Sequence, residues 1–217
     1  IDAEKTIALV EQHFSDLENA SPPPRETITT PTLDGGDLTL TGDVPHPLLY
    51  CSWQAPAAGD PDQLALELGL SILSEGHASR LHRRLVRESG LAHEVHGTVL
   101  GHLRAPSIAS LSARPADGVD TRDLAEAFAH ELAVLDSPSE QELDRAKAQY
   151  ERSWLSELAT VEDRAEAAAE AWATWGDPAL VNRRLADLAA VTPDDVSRVL
   201  ANQPSLSQLH YLPKGAS

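Results

Sequence analysis

The sequence predicts an α+β fold in which a layer of helices packs on a mostly antiparallel sheet. Short runs rich in β-branched residues, bounded by Gly and Pro, occur before, between and after the helical segments. Capping residues followed by proline mark three helix starts, at Asp60-Pro61, Ser137-Pro138 and Thr192-Pro193. The resulting order of strands, helices, strands, several helices and a last strand is typical of an α+β sandwich.

The first residues, IDAEKTIALVEQHF, predict an amphipathic helix over residues 3–17. Within this segment Ile7, Val10, Phe14 and Leu17 recur at helical spacing. The pattern ends at ENASPPP, and three consecutive prolines cannot continue a helix. We therefore expect an extended linker over residues 19–25, as a boundary between this helix and the rest of the chain.

Three strands are predicted after the linker, from the runs TITTPTL, DLTLTGD and PLLYCSWQAPA. The tripeptide Asp34-Gly35-Gly36 separates the first two runs and indicates a hairpin. The third run is almost continuously apolar, which favours a buried position in the sheet.

Two helices and two strands are predicted next. The helix from Pro61 carries leucine on nearly every face and ends near Gly76, so we expect it to be a core helix. A short helix, ASRLHRRLVRE, directs Leu81 and Leu85 inward. Strands over residues 92–103 and 107–114 follow.

The rest of the chain is predicted to be helical up to a final strand, LSQLHYL. Helices are expected over residues 121–135, 139–159, 161–175, 179–188 and 193–200. The helix over residues 139–159 has an apolar stripe that we expect to pack on the sheet. Its members are Leu143, Ala146, Tyr150, Trp154 and Leu158.

Composition excludes several classes of function. A formal net charge of −17 argues against binding to nucleic acid or to an anionic membrane surface, because both need a basic surface. The single Cys51 excludes an internal disulfide, and its apolar surroundings predict a buried, inert thiol. No apolar run is long enough to cross a membrane. The first residue, Ile1, indicates a fragment or a processed product, and we expect a cytoplasmic location.

The stretch GLAHEVHG, residues 90–97, has the composition of a damaged zinc-binding motif. The H-E-x-x-H motif places two histidines four apart on one face of a helix, whereas His93 and His96 are three apart. The β-branched residues around them indicate a strand, on which His93 points with Val95 and His96 points with Glu94. One metal ion could not then bind both histidines, and we predict no metal site here.

Other candidate site residues have simple structural explanations. His77 and His82 are five apart and are expected to diverge as solvated side chains. Trp154, Trp172 and Trp175 are expected to lie in a core or an interface. The sequence contains neither a G-x-x-x-x-G-K phosphate loop nor a G-x-S-x-G elbow. Residue chemistry alone therefore indicates no complete active site.

Several segments together resemble one protein family. They are SILSEGHASRLHRRLVRESGLAHEV, SPSEQELDRAKAQYERSWLSEL, WGDPALVNRRLADLAAVTPDDVSRVL and the closing YLPKG. Their order and spacing are similar to those of the C-terminal, non-zinc half of M16 metallopeptidases, the family of pitrilysin, insulinase and mitochondrial processing peptidase. The resemblance covers nearly all of residues 25–214, and residues 1–18 resemble the helix that ends the preceding half.

The resemblance implies a LuxS/processing-peptidase-like metallohydrolase fold, with residues 1–18 as the tail of a preceding half, 19–25 as linker and 26–217 as the inactive-half domain. The family binds Zn²⁺ through H-x-x-E-H, and no histidine of this chain is followed by x-x-Glu-His. The resemblance thus implies no cofactor in this chain. Zinc is expected only in a separate half that carries the motif, on the same polypeptide or on a partner chain.

The resemblance also suggests three substrate-binding positions. Active members contribute an Arg and a Tyr, seven apart, that contact substrate near the metal, and the matching positions here are Val86 and His93. Arg87 is displaced by one residue, which on a helix turns it by about 100° from the direction of that Arg. His93 can donate a hydrogen bond in place of the Tyr hydroxyl, whereas Val86 cannot replace a guanidinium.

The predicted function is that of a zinc-free domain that closes a peptide-binding chamber and is not catalytic alone. An extended peptide would be bound by strand addition at a sheet edge. Two alternatives stay open: half of a working metallopeptidase completed by an H-x-x-E-H-bearing half, and a structural or assembly subunit that has lost proteolysis.

Overall fold

One five-stranded sheet is the centre of the fold. The computed structural model describes residues 2–18, 35–102, 105–133, 137–201 and 206–215. Within them the strands lie in the order β1-β5-β2-β4-β3, and every neighbouring pair is antiparallel except β1 with β5. The strands are Gly36–Gly42 (β1), Leu48–Ala55 (β2), Ala92–Leu100 (β3), Ser107–Pro115 (β4) and Ser207–Pro213 (β5). The predicted fold class is confirmed.

The helices follow the predicted order closely. The α-helices in the described ranges are Ala3–Phe14 (α1), Pro61–Ser74 (α2), Thr121–Ala133 (α3), Glu140–Glu157 (α4), Val161–Trp175 (α5), Leu180–Ala190 (α6) and Pro193–Ala201 (α7). The short helix before β3 is a π-helix, His82–Glu88, whose last turn includes a bond from the Ser89 N–H to the Arg84 carbonyl, 3.0 Å. The predicted strand TITTPTL and its hairpin with β1 lie outside the described residues.

The core lies between one face of the sheet and the helices α2 and α3. Side chains of β2 alternate, so that Leu49, Cys51, Trp53 and Ala55 are buried and the residues between them are half-buried. The predicted burial of this strand is therefore confirmed for one face only. Burial raises the pKa of the Cys51 thiol to about 12, which keeps it protonated and unreactive at neutral pH.

Helix α2 is the core helix that its leucines predict. Ten of its residues are buried, because it contacts β3 on one side and α4 and α7 on others. Gly97 of β3 allows this close packing, since a β-carbon there would clash with the Ser74 hydroxyl. That hydroxyl donates to the Leu70 carbonyl, 2.8 Å, and so needs no other partner.

The apolar stripe of α4 has a different partner from the predicted one. Leu143 and Ala146 are buried against the core, but α4 packs on α2 and α6 rather than on the sheet. The sheet face is already occupied by α2 and α3, so the stripe of α4 reaches only a second layer. Farther along α4, Tyr150 and Trp154 are half-buried and face a cavity.

Two helices leave apolar side chains in solvent. Helix α1 buries none of its residues, and Ile7, Val10 and Phe14 are all exposed. Helix α5 buries only Ala171 and exposes Trp172, 64 % of whose surface is accessible. Trp172 therefore does not lie in the core, and the alternative, a position in an interface, stays a prediction. None of the helices in the described ranges is long and apolar enough to cross a membrane.

An ion pair fastens the turn before the π-helix to the start of α4. The Arg80 guanidinium donates two hydrogen bonds to Glu142, from Nε to Oε1 at 2.8 Å and from Nη2 to Oε2 at 2.7 Å. Glu142 also accepts from the Ser139 N–H, 2.9 Å, in a capping box that begins α4. The bonds from Arg80 are the main reason that the pKa of Glu142 falls to about 2.

We predict that Glu142→Gln lowers the free energy of unfolding by about 1–2 kcal/mol at pH 7, because a partly exposed charge-assisted pair is lost. The folded-state pKa of Glu142 lies below its ordinary value of 4.5, so its stabilisation is complete above about pH 5 and disappears as the pH falls toward 2. Urea denaturation at pH 7 and pH 3 should therefore show a smaller difference between variant and wild type at pH 3. Glu140→Gln, an exposed change in the same helical turn, is the control.

Candidate functional site

A cavity of about 790 Å³ lies between α2, α4 and the strand β3. All residues from His93 to Val99 line it, so one wall is formed by β3 along most of its length. The end of α2 and the second half of α4 form the other walls. This space has the size range of ligand sites in proteins, about 300–1,000 Å³.

Strand β3 is an edge of the sheet in the described residues, and one set of its backbone groups faces away from β4. The Ala116 N–H donates to the Leu91 carbonyl, 2.9 Å, so Ala116 directs its backbone groups toward the β3 side. Backbone direction alternates along a strand. Ser112 and Ser110 therefore direct theirs to β3 as well.

The free backbone groups of β3 follow from the register. Ser112 and Ser110 pair with His96 and Thr98, so these two β3 residues bond to β4. Val95, Gly97 and Val99 lie between and beside them and direct their N–H and C=O groups to the open edge. This edge borders the cavity and has the geometry of a template for one more strand.

A half-buried charge network forms the end of the cavity near α6. Arg184 donates from Nη2 to Glu67 Oε2 at 3.2 Å and from Nε to the Tyr150 hydroxyl at 2.7 Å. Gln63 donates to the other oxygen of Glu67, 2.9 Å. Burial raises the pKa of Glu67 against the opposing effect of Arg184, and burial with the charge of Glu67 raises the pKa of Tyr150 to about 12.

Aromatic rings and a further glutamate continue the wall along α4. The Arg184 guanidinium carbon lies 5.4 Å from the ring centre of Tyr150 and 6.0 Å from that of Trp154. Glu157 is one helical turn beyond Trp154 and accepts from the Ser153 hydroxyl at 3.5 Å. Its charge is a smaller cause of the raised pKa values of Glu67 and Tyr150, after burial.

The cavity is acidic. Among the described residues that line it, Arg184 is the only lysine or arginine. Four glutamates line the same space: Glu67, Glu75, Glu94 and Glu157. Arg184 pairs with Glu67 and Arg114 with Glu94, at 3.2 Å in both cases, whereas no ion pair within the described ranges includes Glu75 or Glu157.

His77 and His82 converge, and the prediction that they diverge is wrong. Nδ1 of His77 lies 3.1 Å from Nε2 of His82, and the rings meet edge to face at 4.7 Å. The cause is the chain reversal at Gly76, whose φ of 76° turns the backbone after α2. Partial burial, with the charge of His77 as a second cause, lowers the pKa of His82.

His93 and His96 have separate partners. Nε2 of His93 lies 3.3 Å from Asp117, and Nε2 of His96 lies 3.6 Å from Glu94. The predicted shared direction of His93 and Val95 is wrong, because a register shift between Ala92 and Glu94 interrupts the alternation and leaves His93 exposed. No group of three or more His, Cys, Asp or Glu residues that could hold a metal ion occurs in the part of the chain that the structure describes.

The structure separates the three positions suggested for substrate binding. His93 lines the cavity, and neither Val86 nor Arg87 does. Val86 is half-buried and packs against the hydrophobic core. Arg87 is exposed on the π-helix, where its charge is the third cause of the lowered pKa of His82. His93 is therefore the only one of the three that is placed to contact a ligand in this cavity.

The charge network was missed at the level of sequence, although two signals existed. Glu67 is a carboxylate in the middle of a leucine-rich helix, and such a residue is seldom buried without a partner. Trp154 and Glu157 stand three apart on α4, which places them on one face. Arg184 gave no such signal, because its partners lie on helices that are distant in sequence.

Comparison with known proteins gives consistent results. The family model described as "Peptidase M16 inactive domain" matches residues 1–150. No curated protein matches the sequence. A candidate zinc protease from Bordetella pertussis Tohama I has 30% sequence identity and a TM-score of 0.69, over 77% of this chain and 94% of that one.

Two solved structures with lower identity share the fold. A protease from Helicobacter pylori has a TM-score of 0.83 and 21% identity, over 98% of this chain and 53% of that chain. The periplasmic protease PqqL from Escherichia coli has a TM-score of 0.70 and 20% identity, over 99% of this chain and 24% of its own. The chain therefore spans about half the length of the Helicobacter pylori protein and a quarter of the Escherichia coli protein.

We predict that Arg184→Met lowers the free energy of unfolding by about 2–3 kcal/mol, because it leaves the Glu67 carboxylate largely buried and without its cation. Adding Glu67→Gln to the Arg184→Met variant should recover at least half of the lost free energy of unfolding. The control is Arg183→Met, which removes an exposed pair with Asp177 and should cost less than about 1 kcal/mol. Urea denaturation measures all four proteins, and equal losses for Arg183→Met and Arg184→Met would contradict the assignment.

Proposed function

The chain belongs to the peptidase M16 inactive-domain family, and on that premise we propose that it closes a peptide-binding chamber in a zinc-protease-like protein. The domain is of the inactive class, which is consistent with a chain that is not catalytic alone. The observation that carries the proposal is the open edge of β3 beside a large cavity. An extended peptide would pair with Val95, Gly97 and Val99 as an added strand.

The proposed partner is a zinc-bearing N-terminal half, on the same polypeptide or on another chain. The Helicobacter pylori protease, nearly twice as long as the segment that matches, supports a second half of similar size. Zinc and the water-activating glutamate would belong to that half, and this chain would supply peptide-binding surface. The cytoplasmic location stays a prediction, and one protein of the same fold is described as periplasmic.

Two other functions are compatible with the family. The chain could complete a working metallopeptidase together with an H-x-x-E-H-bearing half, in which case the chamber role is unchanged. It could instead be an assembly subunit that has lost proteolysis. The open strand edge beside a cavity favours peptide binding over a purely structural role, because an exposed edge promotes aggregation unless something covers it.

We predict that N-methylation of a bound peptide weakens binding at one set of alternate residues and has little effect at the other set, and we call these two sets the two registers. The probe is an acetylated, fluorescein-labelled ten-residue peptide of alternating Thr and Val with one central Lys. Methyl groups on amides that face β3 should weaken binding at least about 10-fold, since two or more backbone hydrogen bonds are lost. Methyl groups on the amides that point away from β3 should change the affinity little. Fluorescence anisotropy measures the affinities, and equal effects of the two registers would refute strand addition.

Hydrogen exchange locates the same contact on the protein. Peptide binding should slow exchange at the Gly97 and Val99 amides, which face the open edge. The His96 and Thr98 amides already bond to β4 and should change less. Protection of the β1 edge in place of the β3 edge would also count against the proposal.

We expect His93→Ala to weaken binding of the same peptide by about 3- to 10-fold, because the imidazole at the end of β3 can exchange a hydrogen bond with a peptide group. His46→Ala, outside the cavity, is the control. An affinity unchanged by His93→Ala would leave the chamber role intact but would remove His93 from the binding site.

A further inference from the structure

We propose that the cavity holds a lysine or arginine side chain of the bound peptide, at a subsite formed by Glu157 and Trp154 of α4. This inference rests on the proposed function, because it requires a peptide strand on β3. It goes further by naming the chemistry of the side chain that the site selects, a primary ammonium or a guanidinium.

Strand geometry directs peptide side chains toward this subsite. Residues directly opposite each other on neighbouring strands point to the same face of the sheet. Gly97 belongs to the face covered by α2, since a side chain there would meet Ser74. A peptide residue opposite Gly97, and those two positions to either side, would therefore point toward the helices and into the cavity walled by α4.

The charges of the cavity favour a cation there. Arg184 is already engaged by Glu67 and Tyr150, and Arg114 by Glu94. Glu157 has a hydroxyl neighbour, Ser153, but no cationic partner in the described ranges. Burial is the main cause of the raised pKa values of Glu67 and Tyr150, and the negative charge of Glu157 adds to both shifts. A ligand cation beside Glu157 would offset this negative charge.

Trp154 adds a second favourable contact. Glu157 follows Trp154 by three residues on α4, and both line the cavity, so the carboxylate and the indole lie on the same side of the helix. An indole ring is the best aromatic partner for a cation, and a carboxylate beside the ring can form an ion pair with the same cation. The long methylene stems of Lys and Arg also suit an aromatic wall, because they bury apolar surface while the charged end stays paired.

The test compares the acetylated Lys peptide with a peptide in which norleucine replaces lysine. Norleucine keeps the methylene stem and lacks the ammonium group. Wild-type protein should bind the Lys peptide about 5- to 10-fold more tightly, and Glu157→Gln should abolish this difference by weakening only the Lys peptide. Glu151→Gln, an exposed glutamate of α4 outside the cavity, should preserve it.

A second variant, added salt and a peptide with a free N-terminus distinguish the possible causes of the preference for lysine. Trp154→Leu should reduce the preference for lysine, and 0.5 M salt should weaken the Lys peptide more than the norleucine peptide. A norleucine peptide with a free N-terminus that binds as tightly as the Lys peptide would overturn the side-chain assignment in favour of a terminal amine. An unchanged preference in Glu157→Gln would also overturn it.

Failure of the subsite is distinguishable from failure of the proposed function. If Lys and norleucine peptides bind equally and the two N-methylation registers still differ, only the subsite is wrong. If neither peptide binds, or if both registers behave alike, the peptide-binding role fails and the subsite fails with it.

Discussion

Helix α2 packs between the sheet and the helices α4 and α7, and its burial on these sides determines where the other elements can lie. Each fully buried leucine contributes roughly 1.5–3 kcal/mol, so this helix supplies a large part of the stabilisation of the core. Its approach to β3 needs a residue without a side chain at Gly97. Because α2 lies between α4 and the sheet, α4 packs in a second layer, and the space left between α4 and β3 becomes the cavity.

The same arrangement concentrates charge at one place. Glu67 is a carboxylate on the core helix, and the cost of burying it is offset by Arg184 of α6 and by Gln63. Tyr150 and Trp154 of α4 surround the guanidinium. The network connects three helices at the margin of the cavity, so its stabilising role and the chemistry of the cavity wall depend on the same residues.

The family assignment and the geometry are both compatible with the proposed role. The histidines around the cavity pair with one another or with carboxylates. What such a half can offer to a peptide is an open strand edge and a wall of defined charge. In the proposed function the edge of β3 and the glutamates that line the cavity would supply both.

The sequence by itself determined the order of the elements and most of their bounds, because the signals are local. Helix caps, glycine and proline positions and side-chain periodicity act within a few residues, and the segments that resemble M16 inactive halves have a characteristic spacing. Only the tertiary structure decided the partner of α4, the convergence of His77 with His82, the interruption of alternation at His93 and the meeting of Glu67 with Arg184. These features depend on contacts between residues that are distant in sequence or on backbone irregularities, and a single sequence contains no local signal for either.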